Sequence, residues 1–156
     1  MTPAINLAKK KKISFEIHQY EHDPKAASYG EEAAEKLGLS LDAVFKTLVV
    51  STEINQLCVC VVPVVGMLDL KNVAKALKTK KVTMADAKKV ENTTGYVLGG
   101  VSPLGQKKQL VTLIDQSAEN LKTFFVSAGK RGLEIELSPH DLQNLTRGTF
   151  AAIAKP

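Results

Sequence analysis

Lys46 interrupts an otherwise apolar run of strand-forming residues, Val44-Phe45-Lys46-Thr47-Leu48-Val49-Val50. Side chains alternate along a strand, so Lys46 shares a face with Val44, Leu48 and Val50. A cation on such a face either snorkels to water on its long stem or points into a cavity that uses it. Two glycine-bearing segments could complete a cavity of that kind. In Thr94-Gly95-Tyr96-Val97-Leu98-Gly99-Gly100-Val101-Ser102-Pro103-Leu104-Gly105, the pair Gly99-Gly100 can adopt backbone angles closed to other residues. It then either exposes N–H groups to an oxyanion or phosphate or simply makes a tight turn. Ser127-Ala128-Gly129 brings a hydroxyl on a hairpin, and Lys130-Arg131 adds charge to it. Glu134 and Glu136 share one face of an alternating strand, opposite Leu133, Ile135 and Leu137. That face meets solvent, or one carboxylate turns into a pocket to hold Lys46 or a substrate amine.

Other chemistries lack their residues. The three histidines, His18, His22 and His140, are scattered, and no Gly-x-Ser-x-Gly elbow, Walker loop or HExxH helix is present. A conventional nucleophile triad is therefore not expected. Cys58 and Cys60, the only cysteines, stand two apart in an apolar strand and read as reduced, buried thiols. A zinc site would lack ligands, and neither a metal nor a cofactor is expected.

The elements that must position these residues can be read from pattern. Pro3 to Lys12 suits a short helix ending in lysines, and Phe15 to Tyr20 alternates as a strand with Ile13, Phe15 and Ile17 inward. Glu31 to Leu37 is a helix stopped by Gly38, and Ser40 caps a turn into the Lys46 strand. Leu57 to Val64 pairs with that strand through Glu53-Ile54-Asn55-Gln56. Asp69 caps a helix over 70–77, and Thr83 caps another from Met84 to about Val90. Strands follow at Gln109 to Ile114, Phe124 to Ser127 and Leu133 to Leu137, then a helix from Pro139 to Leu145 and a strand from Phe150 to Ile153. Helices fall between pairs of strands without strict βαβ alternation, which predicts an α+β fold with a curved mixed sheet.

The 156 residues fit one domain, 1–156, with 44% hydrophobic and 24% charged residues, values typical of a globular chain. No apolar stretch approaches the ~20 residues of a membrane span, and no signal peptide is legible, so a cytoplasmic protein is expected. Net charge is +5, unevenly placed. Lysines 71, 75, 78, 80, 81, 88 and 89 face a single acid, Asp86, over that stretch. They form either a solvated helix surface or a phosphate-backbone footprint.

Taken together, FKTLVV around Lys46, TGYVLGGVSPLG from Thr94 to Gly105 and SAGKRGLEIEL from Ser127 to Leu137 resemble the YbaK family. The stretch LDLKNVAKALKTKKVTMAD and the opening segments TPAINL and IHQYEHDP extend the likeness over essentially the whole chain. The resemblance implies a barrel-like mixed β-sheet flanked by helices, the fold of the editing domain inserted in bacterial prolyl-tRNA synthetase. It implies a trans-editing deacylase that removes cysteine from mischarged Cys-tRNA(Pro), and also from Cys-tRNA(Cys). The partners it implies are the acceptor end of aminoacyl-tRNA and, for recruitment, prolyl-tRNA synthetase.

Carried onto this sequence, the resemblance makes Lys46 the catalytic lysine, with Thr47 beside it. It gives Gly99, Gly100, Ser127 and Gly129 to the aminoacyl pocket, Tyr20 and Tyr29 to its wall, and Glu134 to its acidic member. Relatives carry Phe in place of Tyr29 and Asp in place of Glu134. In the family's route the substrate thiol attacks its own ester carbonyl and leaves a thiolactone that opens in water. A ribose hydroxyl or a water as nucleophile stays open as a rival. A non-catalytic module that binds nucleic acid through its lysine face is the alternative reading.

Overall fold

The computed structural model describes residues 1–26 and 28–156; the side chain of Tyr29 lies outside the described residues. In chain order the elements are α1 Pro3–Lys10, β1 Phe15–Gln19, α2 Tyr29–Leu37, β2 Phe45–Thr52, β3 Leu57–Pro63, β4 Met67–Leu68, α3 Leu70–Leu77 and β5 Val82–Met84. They continue with α4 Ala87–Thr94, β6 Val111–Asp115, β7 Phe124–Lys130, β8 Leu133–Leu137, α5 Pro139–Thr146, β9 Thr149–Ala151 and β10 Ala154–Lys155. The α+β reading stands. The barrel-like sheet does not: the strands divide into a five-stranded mixed sheet, a three-stranded antiparallel sheet and a two-stranded pair. Their orders are β5-β2-β3-β6-β9, β1-β8-β7 and β10-β4.

The hairpin of β2 and β3 organises the larger sheet, with Lys46 opposite Val62 and Val50 opposite Cys58. Alternation along β3 feeds two cores. Leu57, Val59 and Val61 join α1, the glycine loop and Val90 of α4 on one face. Cys58, Cys60 and Val62 join Val73 and Ala74 of α3 on the other. Both cysteines are free and buried, as expected of small apolar groups. Burial is reinforced at Cys60, whose hydrogen bond with Cys58 raises the thiol pKa before desolvation adds to it.

Capping fixes most helix starts. The Asp69 carboxylate accepts from the N–H groups of Lys71 and Asn72, as its position in sequence foretold. Thr83 does not cap a helix. It lies in β5, opposite Ser51, and the cap of α4 is Asp86, which accepts from Lys89 N–H. Pairing with the end of β2 outcompetes local helix propensity there. Ser40 precedes a 3₁₀ turn at Leu41–Ala43 without a side-chain hydrogen bond to it. The last expected strand is split in two, because the Asp115 carboxylate takes the N–H groups of Ile153 and Ala154 between them. On β1 the inward assignment fails at Ile17, which is 38% exposed, while His18 is half-buried edge-on to Phe125. No helix among the described residues is long and apolar enough to cross a membrane.

Candidate active site

β2 is flanked on both sides only along part of its length. Val50 and Ser51 pair with β3 and, together with Thr52, with β5, but the pairing with β5 ends there. At the other end, Val44 touches Phe125 in an isolated parallel bridge, and the two chains pair no further. A cavity of about 330 Å³ occupies the fork beyond that bridge. Phe45, Lys46, Thr47 and Leu48 line one side of it, and Ser127, Lys130, Arg131 and Glu134 the other. Leu98, Gly99 and Val101 of the glycine loop, Val64, Tyr20, and Ser28 with Gly30 at the start of α2 complete the wall.

Lys46 is half-buried, and its Nζ donates to the Gly66 carbonyl at 3.1 Å. Among the described residues it makes no ion pair with Glu134. The ammonium is thus steered by a neutral acceptor, the Gly66 carbonyl, rather than by a carboxylate. Thr47 contributes more than a side chain. Its Oγ1 is buried and has no hydrogen-bond partner among the described residues. In an antiparallel pair alternate residues turn both main-chain groups away from the partner strand. Val49 does so, giving its carbonyl to Ala85 N–H at 3.0 Å. Thr47 stands in the same phase, so its N–H and C=O face the fork too.

Ser127 and Glu134 meet because β7 and β8 place them directly opposite one another. As the central strand of its sheet, β8 buries what an isolated alternating strand would expose. Glu134 is 7% exposed, and burial pushes its carboxyl up to about 8. Tyr20 is set beside it when its N–H donates to Gly132 O at 2.9 Å. Burial, then the charge of Glu134, push the Tyr20 phenol up to about 12, against a lowering hydrogen bond with Gly132. Glu136, on the same strand face, is instead spent on His18 at 2.9 Å and Thr123 at 2.7 Å.

The glycine loop supplies one wall through an arrangement the sequence did not reveal. Gly99 has φ +88°, a conformation that favours glycine, and lines the cavity. Gly100 does not line it. Its N–H donates to Val97 O at 2.9 Å, which removes it as an oxyanion donor. Its missing side chain serves packing: a Cβ there would lie 2.8 Å from Lys130 Cα. Gly129 is likewise outside the wall, at a bulge where a Cβ would meet the Tyr96 ring and Thr2. Of the remaining residues expected at the site, Tyr20, Lys46, Thr47, Gly99, Ser127 and Glu134 converge on the cavity. Sequence reasoning missed Leu48, Val64, Leu98, Ser28 and Gly30; a Gly30 Cβ would strike Val64 Cγ1 at 2.1 Å. It also missed Glu91, whose carboxylate accepts from Leu98 N–H at 3.0 Å and ties the glycine loop to α4.

Among the described residues no histidine or cysteine is in the cavity wall. The one group with metal-ligand spacing among the described residues, Glu16, His18 and Glu136, lies outside it on the three-stranded sheet. The wall therefore offers a fixed cation, donors, an unpaired hydroxyl and a neutralised carboxyl, but no conventional nucleophile with its base.

The model of the aminoacyl-tRNA editing domain matches residues 23–145. EbsC of Enterococcus faecalis, a candidate Cys-tRNA(Pro)/Cys-tRNA(Cys) deacylase by name, is 40% identical over 97% of this chain and 92% of its own. YwhH of Bacillus subtilis, an uncharacterised protein, is 30% identical over 74% of this chain and 73% of its own. Among solved structures, the hypothetical protein APE2540 superposes with a TM-score of 0.86 at 23% identity, over 99% of this chain and all of that one. A structure described as a candidate trans-editing enzyme for prolyl-tRNA synthetase gives 0.83 at 19% identity, covering 100% and 99% of the two chains. The two solved structures share the fold, while the matched domain and the curated relatives carry the kinship: this chain belongs to the family of aminoacyl-tRNA editing domains.

Proposed function

We propose that this protein is a trans-editing deacylase that removes cysteine from Cys-tRNA(Pro), and from Cys-tRNA(Cys), with the substrate thiol as nucleophile. The reading is carried by one observation: a cavity with a steered cation, an open strand edge and a buried carboxyl, yet no histidine or cysteine among the described residues of its wall. A site so equipped can hold and polarise an aminoacyl ester, and on this reading the attacking atom arrives with the substrate. The thiol sulfur adds to the ester carbonyl carbon, and the bond from that carbon to the terminal ribose oxygen breaks. The thiol proton ends on the ribose oxygen, and the cysteine leaves as a thiolactone that water opens.

Each wall residue has a part in this scheme. Lys46 stabilises the charge that grows on the carbonyl and ribose oxygens. The Gly99 N–H acts alone from the glycine loop, since Gly100 N–H is engaged; one such donor contributes about 2.7–4 kcal/mol. Glu134 receives the α-ammonium of the substrate in its ionised form. Thr47 binds polar atoms of the aminoacyl group through its hydroxyl and strand edge, and Ser127 and Tyr20 close the pocket around them. The apolar walls from Phe45, Leu48, Val64 and Leu98 exclude water during the first step. The pocket reads the amino acid, and recruitment by prolyl-tRNA synthetase supplies the choice of tRNA.

Purified protein incubated with Cys-tRNA(Pro) should release cysteine, and Ser-tRNA(Pro), with a hydroxyl in place of the thiol, should stay charged. Equal release from both would replace the thiol route with water or a ribose hydroxyl. No release from either would leave an RNA-binding module.

A further inference from the structure

The lysines between 71 and 89 are neighbours in sequence but not in space. α3 packs its Val73 and Ala74 on the face of the large sheet opposite the one that takes Val90 of α4. The turn after α3 sits at the hairpin end of β2, where the Glu53 carboxylate accepts from Thr79 Oγ1 at 2.9 Å and from Lys80 N–H at 3.0 Å. Glu53 is five residues beyond Leu48, the last residue of β2 in the cavity wall, which at ~3.3 Å per residue puts that turn roughly 16 Å from the cavity. α4 lies elsewhere. The chain leaves β5 with Ala85 N–H on Val49 O, enters α4 beside the open half of β2, and holds the glycine loop through Glu91 and Leu98.

A second basic pair joins α4 where it ends. Lys107 N–H donates to Thr94 O at 2.9 Å and Lys108 N–H to Thr93 O at 3.3 Å, and Lys107 Cβ lies 3.5 Å from the Cβ position of Gly95. At the other end of the same loop, Gly100 packs against Lys130 and Arg131, both in the cavity wall. Lys88, Lys89, Lys107, Lys108, Lys130 and Arg131 are all exposed. They make a basic strip that runs along the glycine loop and ends in the cavity. Two acids lie along it against these six cations: Glu91 of α4, turned onto Leu98 N–H, and Asp86, the cap of α4, turned onto Lys89 N–H.

We propose that the phosphate backbone of the RNA follows this strip. Its single-stranded 3′ end lies over Lys130 and Arg131, and the first phosphates of the duplex lie on Lys107, Lys108, Lys88 and Lys89. Lys78, Lys80 and Lys81 stay in solvent. The inference rests on the deacylase reading only in taking RNA as the ligand. Backbone contacts of this kind position the substrate without reading its sequence, which leaves selection to the pocket.

The test uses an uncharged acceptor-stem hairpin with a free 3′ CCA end, so binding is measured apart from deacylation. Affinity is followed against salt for the intact protein, for K88A/K89A/K107A/K108A and for K78A/K80A/K81A, with melting curves confirming that each is folded. Each duplex phosphate contact adds about 0.9 to the slope of log affinity on log salt. The first variant should lose about two or more from that slope and bind at least tenfold more weakly at low salt. The second should keep the slope within about 0.5 of the intact protein. A loss confined to K78A/K80A/K81A, or equal losses in both, overturns the strip. So does an unchanged slope in both. Deacylation of Cys-tRNA(Pro) by the intact protein, assayed separately, decides the reading on which it rests.

Discussion

The two halves of β2 share one strand and one partner, yet they do different work. Val50 and Ser51 are held by β3 on one side and β5 on the other. Phe45 to Leu48 keep β3 alone, and all four line the cavity. A flanking strand satisfies the edge and closes it to ligands. Where pairing is withheld, main-chain groups, a cation and an unpaired hydroxyl stay available. The site is thus a place where the sheet stops short, roofed by the glycine loop and closed by β7, β8 and the start of α2.

The largest expected effect separates the halves by kind. Lys46→Ala should lower kcat/KM on Cys-tRNA(Pro) by roughly 10²–10³ through loss of charge stabilisation, with little change in melting. Val50→Ala, in the doubly paired half and fully buried, should cost about 2–3 kcal/mol of stability and leave turnover per folded molecule unchanged. Denaturant melts and single-turnover deacylation read both. A Lys46 variant that loses stability and keeps activity would reverse the comparison.

Next comes the roof. An alanine at Gly100 would press on the backbone atoms of Lys130, at 2.8 and 3.2 Å, and cannot be relieved by a side-chain rotation. Gly100→Ala should cost about 1–3 kcal/mol and reduce turnover tenfold or more. Gly38→Ala is the control: it strains a left-handed cap, at φ +67°, but nothing stands within 4 Å of its Cβ. It should lose stability and retain activity.

The buried carboxyl gives a pH test. Glu134 titrates from an ordinary 4.5 when unfolded to about 8 in the fold, because burial disfavours its charge. A carboxyl raised in this way favours folding below pH 4.5, and that contribution is lost as pH rises towards 8. Glu134→Gln, which cannot ionise, should therefore match the parent near pH 4 and be the more stable of the two at pH 8.5. The difference is bounded above by about 5 kcal/mol, and water admitted by the cavity reduces it. In kcat/KM the ionised form is the competent one, so a rising limb near pH 8 should vanish in the glutamine variant. Urea melts at the two pH values, with a pH–rate profile, check both arms.

Much of this arrangement is legible in the sequence alone. Alternation located β2, β3 and β8, and cap chemistry found Asp69, because those signals are local. The sequence also placed a lysine on a core face and glycines across from it. What escaped it depends on neighbours. Thr83 looks like a helix cap until β5 pairs with β2, and Glu134 looks solvated until β8 becomes a central strand. Gly100 looks like an anion donor until Val97 claims its N–H. The lysine run reads as one patch because sequence cannot show that a sheet lies between α3 and α4.

The smallest effect uses two threonines of the same strand. Thr52 Oγ1 accepts from Gln56 N–H at 3.1 Å and helps close the hairpin, whereas Thr47 Oγ1 has no partner. Valine keeps the shape of threonine and its preference for strands. Thr52→Val removes a made hydrogen bond and should cost about 1 kcal/mol, with deacylation unaltered. Thr47→Val removes an unmade one, so the free protein should be as stable as its parent or slightly more so. Its penalty should appear only with substrate, as a five- to twentyfold loss in kcat/KM, or about 1–2 kcal/mol. If Thr47→Val instead behaves like Thr52→Val, losing stability and keeping turnover, the open half of β2 is structural and the fork holds no aminoacyl group.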